Sequence, residues 1–128
     1  MLDSARLLTF IGVRDLDRAR SFYGSTLGLP VVETTPFAVV VPAAGSELRL
    51  TPVPDLRPQA FTVGGFDVAD IRSTIAAFEG RGVRFLRYDH IDQDDSGIWT
   101  TPGGDQVAWF SDPFGNTLSL TTFHRSKT

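Results

Sequence analysis

Few side chains in this sequence are equipped for chemistry at neutral pH. There are two histidines and no cysteine, so thiolate metal sites, thiol nucleophiles and disulfides are excluded together. His90 sits in YDHIDQDD (88–95). It reads either as an exposed loop histidine among carboxylates or as a ligand-contacting or proton-transferring group at a cavity mouth, since imidazole titrates near neutral pH. His124 opens the tail HRSKT (124–128), which reads as frayed. The acidic run DQDDS (92–96) reads as a solvated turn, a cation-attracting mouth being the other use of such a run. Glu47 and Arg49 are two apart, so on a strand they share a face as an acid with its charge partner, a pairing that also arises for purely structural reasons. There is no nucleophile elbow and no phosphate-binding glycine loop. Gly64-Gly65 and Gly103-Gly104 are isolated pairs of the kind found at strand irregularities and turns.

The elements that must carry these residues repeat. The segment IGVRDLDRARSFYGSTLGLPVV (11–32) is echoed by FDVADIRSTIAAFEGRGVRFL (66–86), with Asp15 matching Asp70, Leu16 matching Ile71 and Gly28 matching Gly82. ELRLTPV (47–53) is likewise echoed by TLSLTTF (117–123), and the proline-punctuated TPVPDLRPQA (51–60) joins the copies. Each copy predicts an apolar strand, an Asp that caps a helix by accepting from its first free amides, and an amphipathic helix. Leu16, Ala19, Tyr23 and Leu27 mark the buried face of the first helix, which Gly28 and Pro30 end. Ile71, Ile75 and Phe78 mark the second, which stops near Gly80 and Gly82. Three strands follow in each copy: VVET, FAVVV and ELRLT in the first, then VRFLRYDH (83–90), DQVAWF and TLSLTTF in the second. Turns are expected at Ala44-Gly45, Gly103-Gly104 and Gly115-Asn116. The predicted class is α+β, with two βαβββ modules at about 5–53 and 60–123 in one domain spanning 1–128.

A chain of 128 residues has the length of one domain that folds around its own core without staples. The net charge is −3 and arginines alternate with acids, so no face forms a phosphate track and nucleic acid is not an expected partner. The start MLDSARLLTF lacks the basic residues and long apolar core of a signal peptide, and FAVVV is too short to cross a bilayer. A cytoplasmic protein without a membrane partner is expected.

The element order, with DLDRARSFYGSTLGL (15–29) and WFSDPFGNTLSL (109–120), resembles the vicinal oxygen chelate superfamily over residues 6–123. That group includes glyoxalase I, extradiol dioxygenases, fosfomycin-modifying enzymes and bleomycin-resistance proteins. The resemblance implies modules paired so that their strands curl into one half-open barrel-like sheet around a cavity, with helices on the outer face, usually in a homodimer. It also implies metal ligands, His, Gln or Glu, at positions that here hold Leu8, Arg49, Val63 and Ser119. None of these binds a divalent metal well, and three protein ligands are the ordinary minimum. No metal and no cofactor are therefore expected.

Strand alternation gives an independent check. If Leu48, Leu50, Leu118 and Leu120 are core, then Glu47, Arg49, Thr51, Thr117, Ser119 and Thr121 face the other way. Trp99 and Trp109, which flank the Gly103-Gly104 turn, add an aromatic wall. The expected ligand-binding set is Leu8, Phe10, Glu47, Arg49, Val63, Trp99, Trp109, Ser119 and Thr121, with no catalytic residue assigned. Such a surface suits a flat organic molecule, and Arg49 would hold an acid or carbonyl group on it through its fork of donors. The functional expectation is a small-molecule-binding protein like the bleomycin-resistance proteins, sequestering an aromatic or anionic ligand without metal. The alternative is a lyase, isomerase or dioxygenase of the same superfamily, metal-free or metal-dependent through unplaced ligands.

Overall fold

A computed structural model describes residues 1–125, which fall into two compact units, Met1–Pro58 and a second beginning at Gln59. In the first, strand β1 (Leu8–Val13) leads to helix α1 (Leu16–Arg20), which widens into a π-helical turn (Ser21–Thr26) before strands β2 (Glu33–Thr34), β3 (Val39–Ala43) and β4 (Ser46–Pro52). In the second, β5 (Thr62–Asp67) leads to α2 (Ile71–Gly80), β6 (Trp99–Thr100), β7 (Gln106–Ser111) and β8 (Thr117–Thr122). The sheets have matching orders, β1-β4-β3-β2 and β5-β8-β7-β6. In each, the first strand runs parallel to the last and the other pairs are antiparallel. Each unit is a βαβββ module and the class is α+β, as the sequence repeat predicts.

Local rules explain the matching parts. Asp15 accepts the Arg18 N–H at 3.1 Å and Asp70 accepts the Ser73 N–H at 3.3 Å, satisfying donors that a helix start leaves orphaned, worth about 1 kcal/mol per cap. Ala19 and Tyr23 are fully buried, with Leu16 and Leu27 half-buried. Beyond Ser21 the backbone bonds lengthen by one residue, with Leu27 N–H donating to Phe22 at 2.8 Å. The chain then turns at Gly28, whose φ of 80° is open to glycine at little cost, and Gly82 at φ 85° serves α2 in the same way. Leu48, Leu50, Leu118 and Leu120 are buried, as are Ile71, Ile75 and Phe78. The β3–β4 hairpin turns through Ala44 and Gly45, both at positive φ (32° and 92°), as a two-residue hairpin loop requires.

The second module departs from expectation between α2 and β7. VRFLRYDH is not a strand: an isolated bridge from Phe85 to Phe110 and a 2.8 Å bond from Leu86 N–H to Trp109 are its attachments to β7. The remaining edge of β7 is taken by β6, where Trp99 pairs with Val107. The physical reason lies in a side chain that takes groups of this backbone before a ladder can, and in bonds that draw the segment toward 94–95. The Gln93 carboxamide accepts Tyr88 N–H at 2.7 Å and donates to the carbonyls of Leu86 (3.1 Å) and Gly97 (2.8 Å). Arg87 donates to the carbonyls of Asp94 and Asp95, both at 2.6 Å.

The run DQDDS is accordingly more than a solvated turn. The Asp94 carboxylate accepts from Ser96 N–H and Ile98 N–H at 3.0 Å each and from Arg72 at 2.7 Å. His124 is held as well, its N–H donating to Asp105 at 2.8 Å; the rest of that tail, 126–128, lies outside the described residues. Among the described residues, no helix is long and apolar enough to cross a membrane.

Candidate functional site

The face of the second sheet opposite the buried leucines is set by register. Gly65, Ser119 and Trp109 stand in one row across β5, β8 and β7, and Thr121, Val107 and Trp99 in another. Because Ala108, Phe110, Leu118 and Leu120 are buried, alternation turns Trp109, Ser119 and Thr121 outward. Gly65 keeps this row open, since a Cβ there would crowd the Ser119 hydroxyl.

Above that floor the aromatic side chains converge. The Trp99 and Trp109 rings lie 6.3 Å apart at 26°, Tyr88 meets Trp109 edge-on at 5.5 Å and 89°, and His90 lies 5.6 Å from Tyr88. With Ala60, Phe61, Thr62 and Ile91 they line a groove of about 330 Å³. Gln93 fixes this wall by bonding the Tyr88 backbone and pairing with Trp99 across an isolated bridge. Burial pushes the Tyr88 hydroxyl above its ordinary pKa, so it remains a neutral donor at neutral pH.

The first sheet carries different chemistry on the equivalent face. Leu8 pairs with Glu47 and Phe10 with Arg49, and Leu8 and Phe10 are 42% and 63% exposed. The Glu47 carboxylate bridges two guanidiniums, Arg49 at 2.7 Å and Arg6 at 3.3 Å. Leu8, Phe10, Glu47 and Arg49 are therefore gathered on one sheet, and Trp99, Trp109, Ser119 and Thr121 on the other. Val63 falls at a register slip between Thr62 and Gly64, and Thr62, opposite Thr117, takes the place that counting back from Asp70 gave to Val63. Counting missed the extra residue. It also missed Tyr88, Phe61, Ile91 and Ala60; the two-residue spacing of Tyr88 and His90, both able to line a groove, was the available signal.

The residues at the implied metal positions do not fit a metal. Leu8 has no donor atom, Arg49 is a cation already engaged with Glu47, and Ser119 with Val63 or Thr62 offers at most neutral hydroxyls. Among the described residues no group of three His, Cys, Asp or Glu is arranged to hold one.

The profile of the Glyoxalase/Bleomycin resistance protein/Dioxygenase superfamily matches residues 6–120. The chain belongs to this superfamily. Among solved structures, a superfamily member from Sphaerobacter thermophilus is 25% identical, with a TM-score of 0.74 over 96% of this chain and 100% of its own. TnmS3, an antibiotic binding protein from Streptomyces sp. CB03234, is also 25% identical, with a TM-score of 0.74 over 97% and 99% of the two chains. A lactoylglutathione lyase from Agrobacterium tumefaciens is 22% identical, with a TM-score of 0.70 over 95% and 96%, a likeness of fold alone. No curated protein matches the sequence.

Proposed function

We propose that this superfamily member binds and sequesters a planar aromatic molecule in the groove of its second module, without chemical conversion. The observation that carries the reading is the convergence of Trp99, Trp109, Tyr88 and His90 around about 330 Å³, the volume range of small-ligand sites. An aromatic guest gains about 1 kcal/mol per well-placed ring contact beyond its area burial. Ser119 and Thr121, which share the Trp109 face of the sheet, are proposed as the floor beside the groove, and Val63, next to Thr62, as a residue at its edge. Leu8, Phe10, Glu47 and Arg49 form a second candidate surface, proposed to contribute less because Arg49 is bonded to Glu47. Likeness to an antibiotic binding protein at 25% identity supports the same reading. The enzyme alternative gains no specific support, since the donor set at the implied metal positions does not fit. We further propose a homodimer that covers exposed sheet edges; light scattering at tens of micromolar would show a monomer if this is wrong.

The test uses the protein's own reporters. Both of its tryptophans line the groove, so all tryptophan emission originates there. Titration with a panel of planar aromatics, quinones and polycyclic antibiotics should give saturable changes in emission. No response across such a panel would reject the reading.

A further inference from the structure

We infer that the groove discriminates by charge and takes a cationic planar ligand in preference to an anionic one of the same shape, an inference that rests on the groove being the ligand site. Its lining contains neither Lys nor Arg. Three of its walls are aromatic rings, Trp99, Trp109 and Tyr88. The π-face of such a ring carries negative potential, and indole is the strongest cation acceptor among the side chains.

The segment that supplies Tyr88, His90 and Ile91 to the groove also carries Asp89, Asp92 and Asp95, all exposed. Among the described residues these three carboxylates have no hydrogen-bonding or ionic partner. Of the nearby cations, Arg72 is paired with Asp94, and Arg87 donates to the carbonyls of Asp94 and Asp95, which fixes its place while its charge remains; the three unpartnered carboxylates outnumber the segment's two guanidiniums, Arg84 and Arg87. Asp89 and Asp92 are sequence neighbours of lining residues, which keeps their charge within roughly one Debye length of a guest at 0.1 M salt. A carboxylate guest would lose water and meet no Lys or Arg side chain in the lining, only such donors as the Thr62 and Tyr88 hydroxyls and the indole N–H groups, a poor exchange for its hydration. The anionic preference expected from Arg49 belongs to the other module, where Glu47 already occupies that guanidinium.

The test is a matched triplet titrated by calorimetry at pH 8 and low ionic strength: N-methylacridinium, neutral acridine and acridine-9-carboxylate. The cation should bind at least about tenfold more tightly than the carboxylate, with acridine between them, and the gap should shrink in 0.5 M salt. In the triple variant Asp89→Asn, Asp92→Asn, Asp95→Asn the gap should narrow to about threefold or less, while the affinity for neutral acridine stays unchanged and so reports an intact groove. Equal binding of all three, or tighter binding of the carboxylate, overturns the charge preference and leaves the groove standing. If none of the three binds, the groove reading fails and the charge preference fails with it.

Discussion

Leu48 and Leu50 of β4 answer Leu118 and Leu120 of β8, and Asp15 answers Asp70, so the helix-facing sides of the two modules are built alike. Their open faces are not. Where the second sheet has the row Gly65, Ser119, Trp109, the first has Phe10, Arg49, Val40. The first face is organised around a carboxylate between two guanidiniums, and the second around stacked rings. The repeat is kept where packing demands it and abandoned where a ligand could be met. Within this superfamily, then, function has to be read from the open faces and not from the shared architecture.

The sharpest contrast in stability concerns the turns that feed the last strand of each module. Before β4, the exposed turn through Ala44 and Gly45 carries one side-chain bond, from the Ser46 hydroxyl to the Ala43 carbonyl at 3.2 Å. Before β8, the buried Asp112 carboxylate accepts from Phe114 N–H and Asn116 N–H at 2.9 Å each and from the Asn116 amide at 2.8 Å. Asp112→Ala strands these donors out of water, at about 1 kcal/mol or more for each. Urea denaturation should show a loss of roughly 3 kcal/mol. A loss below about 1 kcal/mol would mean that the turn does not depend on the Asp112 carboxylate.

The contrast in ligand chemistry is tested by making one face resemble the other. Trp109 in β7 occupies the register place that Val40 holds in β3, so Trp109→Val gives the second sheet the first sheet's residue. Affinity for a planar ligand should fall at least about tenfold, equivalent to 1.4 kcal/mol. Trp99 remains as fluorophore and calorimetry gives the constant. An unchanged affinity would move the ligand away from this row.

The segment between α2 and β6, longer than the one that leads to β2 in the first module, makes opposite predictions at the two ends of the pH scale. Slight burial, the largest single influence on Asp94, opposes its ionisation, but bonds from Ile98 N–H, Arg72 and Ser96 N–H together outweigh it and hold the carboxyl below the ordinary range. A carboxyl depressed in the folded state stabilises above its unfolded pKa of about 3.9, and that contribution is lost as pH falls through the folded value. Asp94→Asn should therefore flatten the acid limb of thermal stability below about pH 4. Burial raises Tyr88, so its contribution is complete below about pH 10 and lost as pH climbs beyond it. Tyr88→Phe should flatten the alkaline limb. Melting curves that keep both limbs unchanged in these variants would separate the loop from the pH response.

These elements also show where sequence reasoning reached and where it stopped. Asp15, Asp70, Gly28 and Gly82 were legible because capping and left-handed turns are local backbone rules that need no knowledge of distant neighbours. The outward direction of Glu47, Arg49, Ser119 and Thr121 was legible because alternation along a strand is strict. Val63 was misplaced because a single extra residue between Thr62 and Gly64 is invisible to counting. The segment 83–90 was read as a strand because its apolar content fits one. What prevents it is the Gln93 side chain, from beyond the segment, capturing its backbone at Tyr88 and Leu86, and no periodicity encodes that. Tyr88 joins Trp109 for the same reason.

The smallest expected effect belongs to the residue that sequence reasoning favoured most. Arg49 is bonded to Glu47 at 2.7 Å, but its side chain remains 36% exposed, and ion pairs of that kind contribute about 0–1 kcal/mol. Its removal does not orphan Glu47, which keeps Arg6 at 3.3 Å. Arg49→Ala should therefore lower stability by less than about 1 kcal/mol and change the affinity for N-methylacridinium by less than about twofold, since a cationic guest has no use for a guanidinium. Paired urea and calorimetric measurements on wild type and variant decide it. A tenfold loss of affinity with stability unchanged would assign ligand contact to the first sheet's open face, with Leu8, Phe10 and Glu47, and the claim that only the second face meets a ligand would fail.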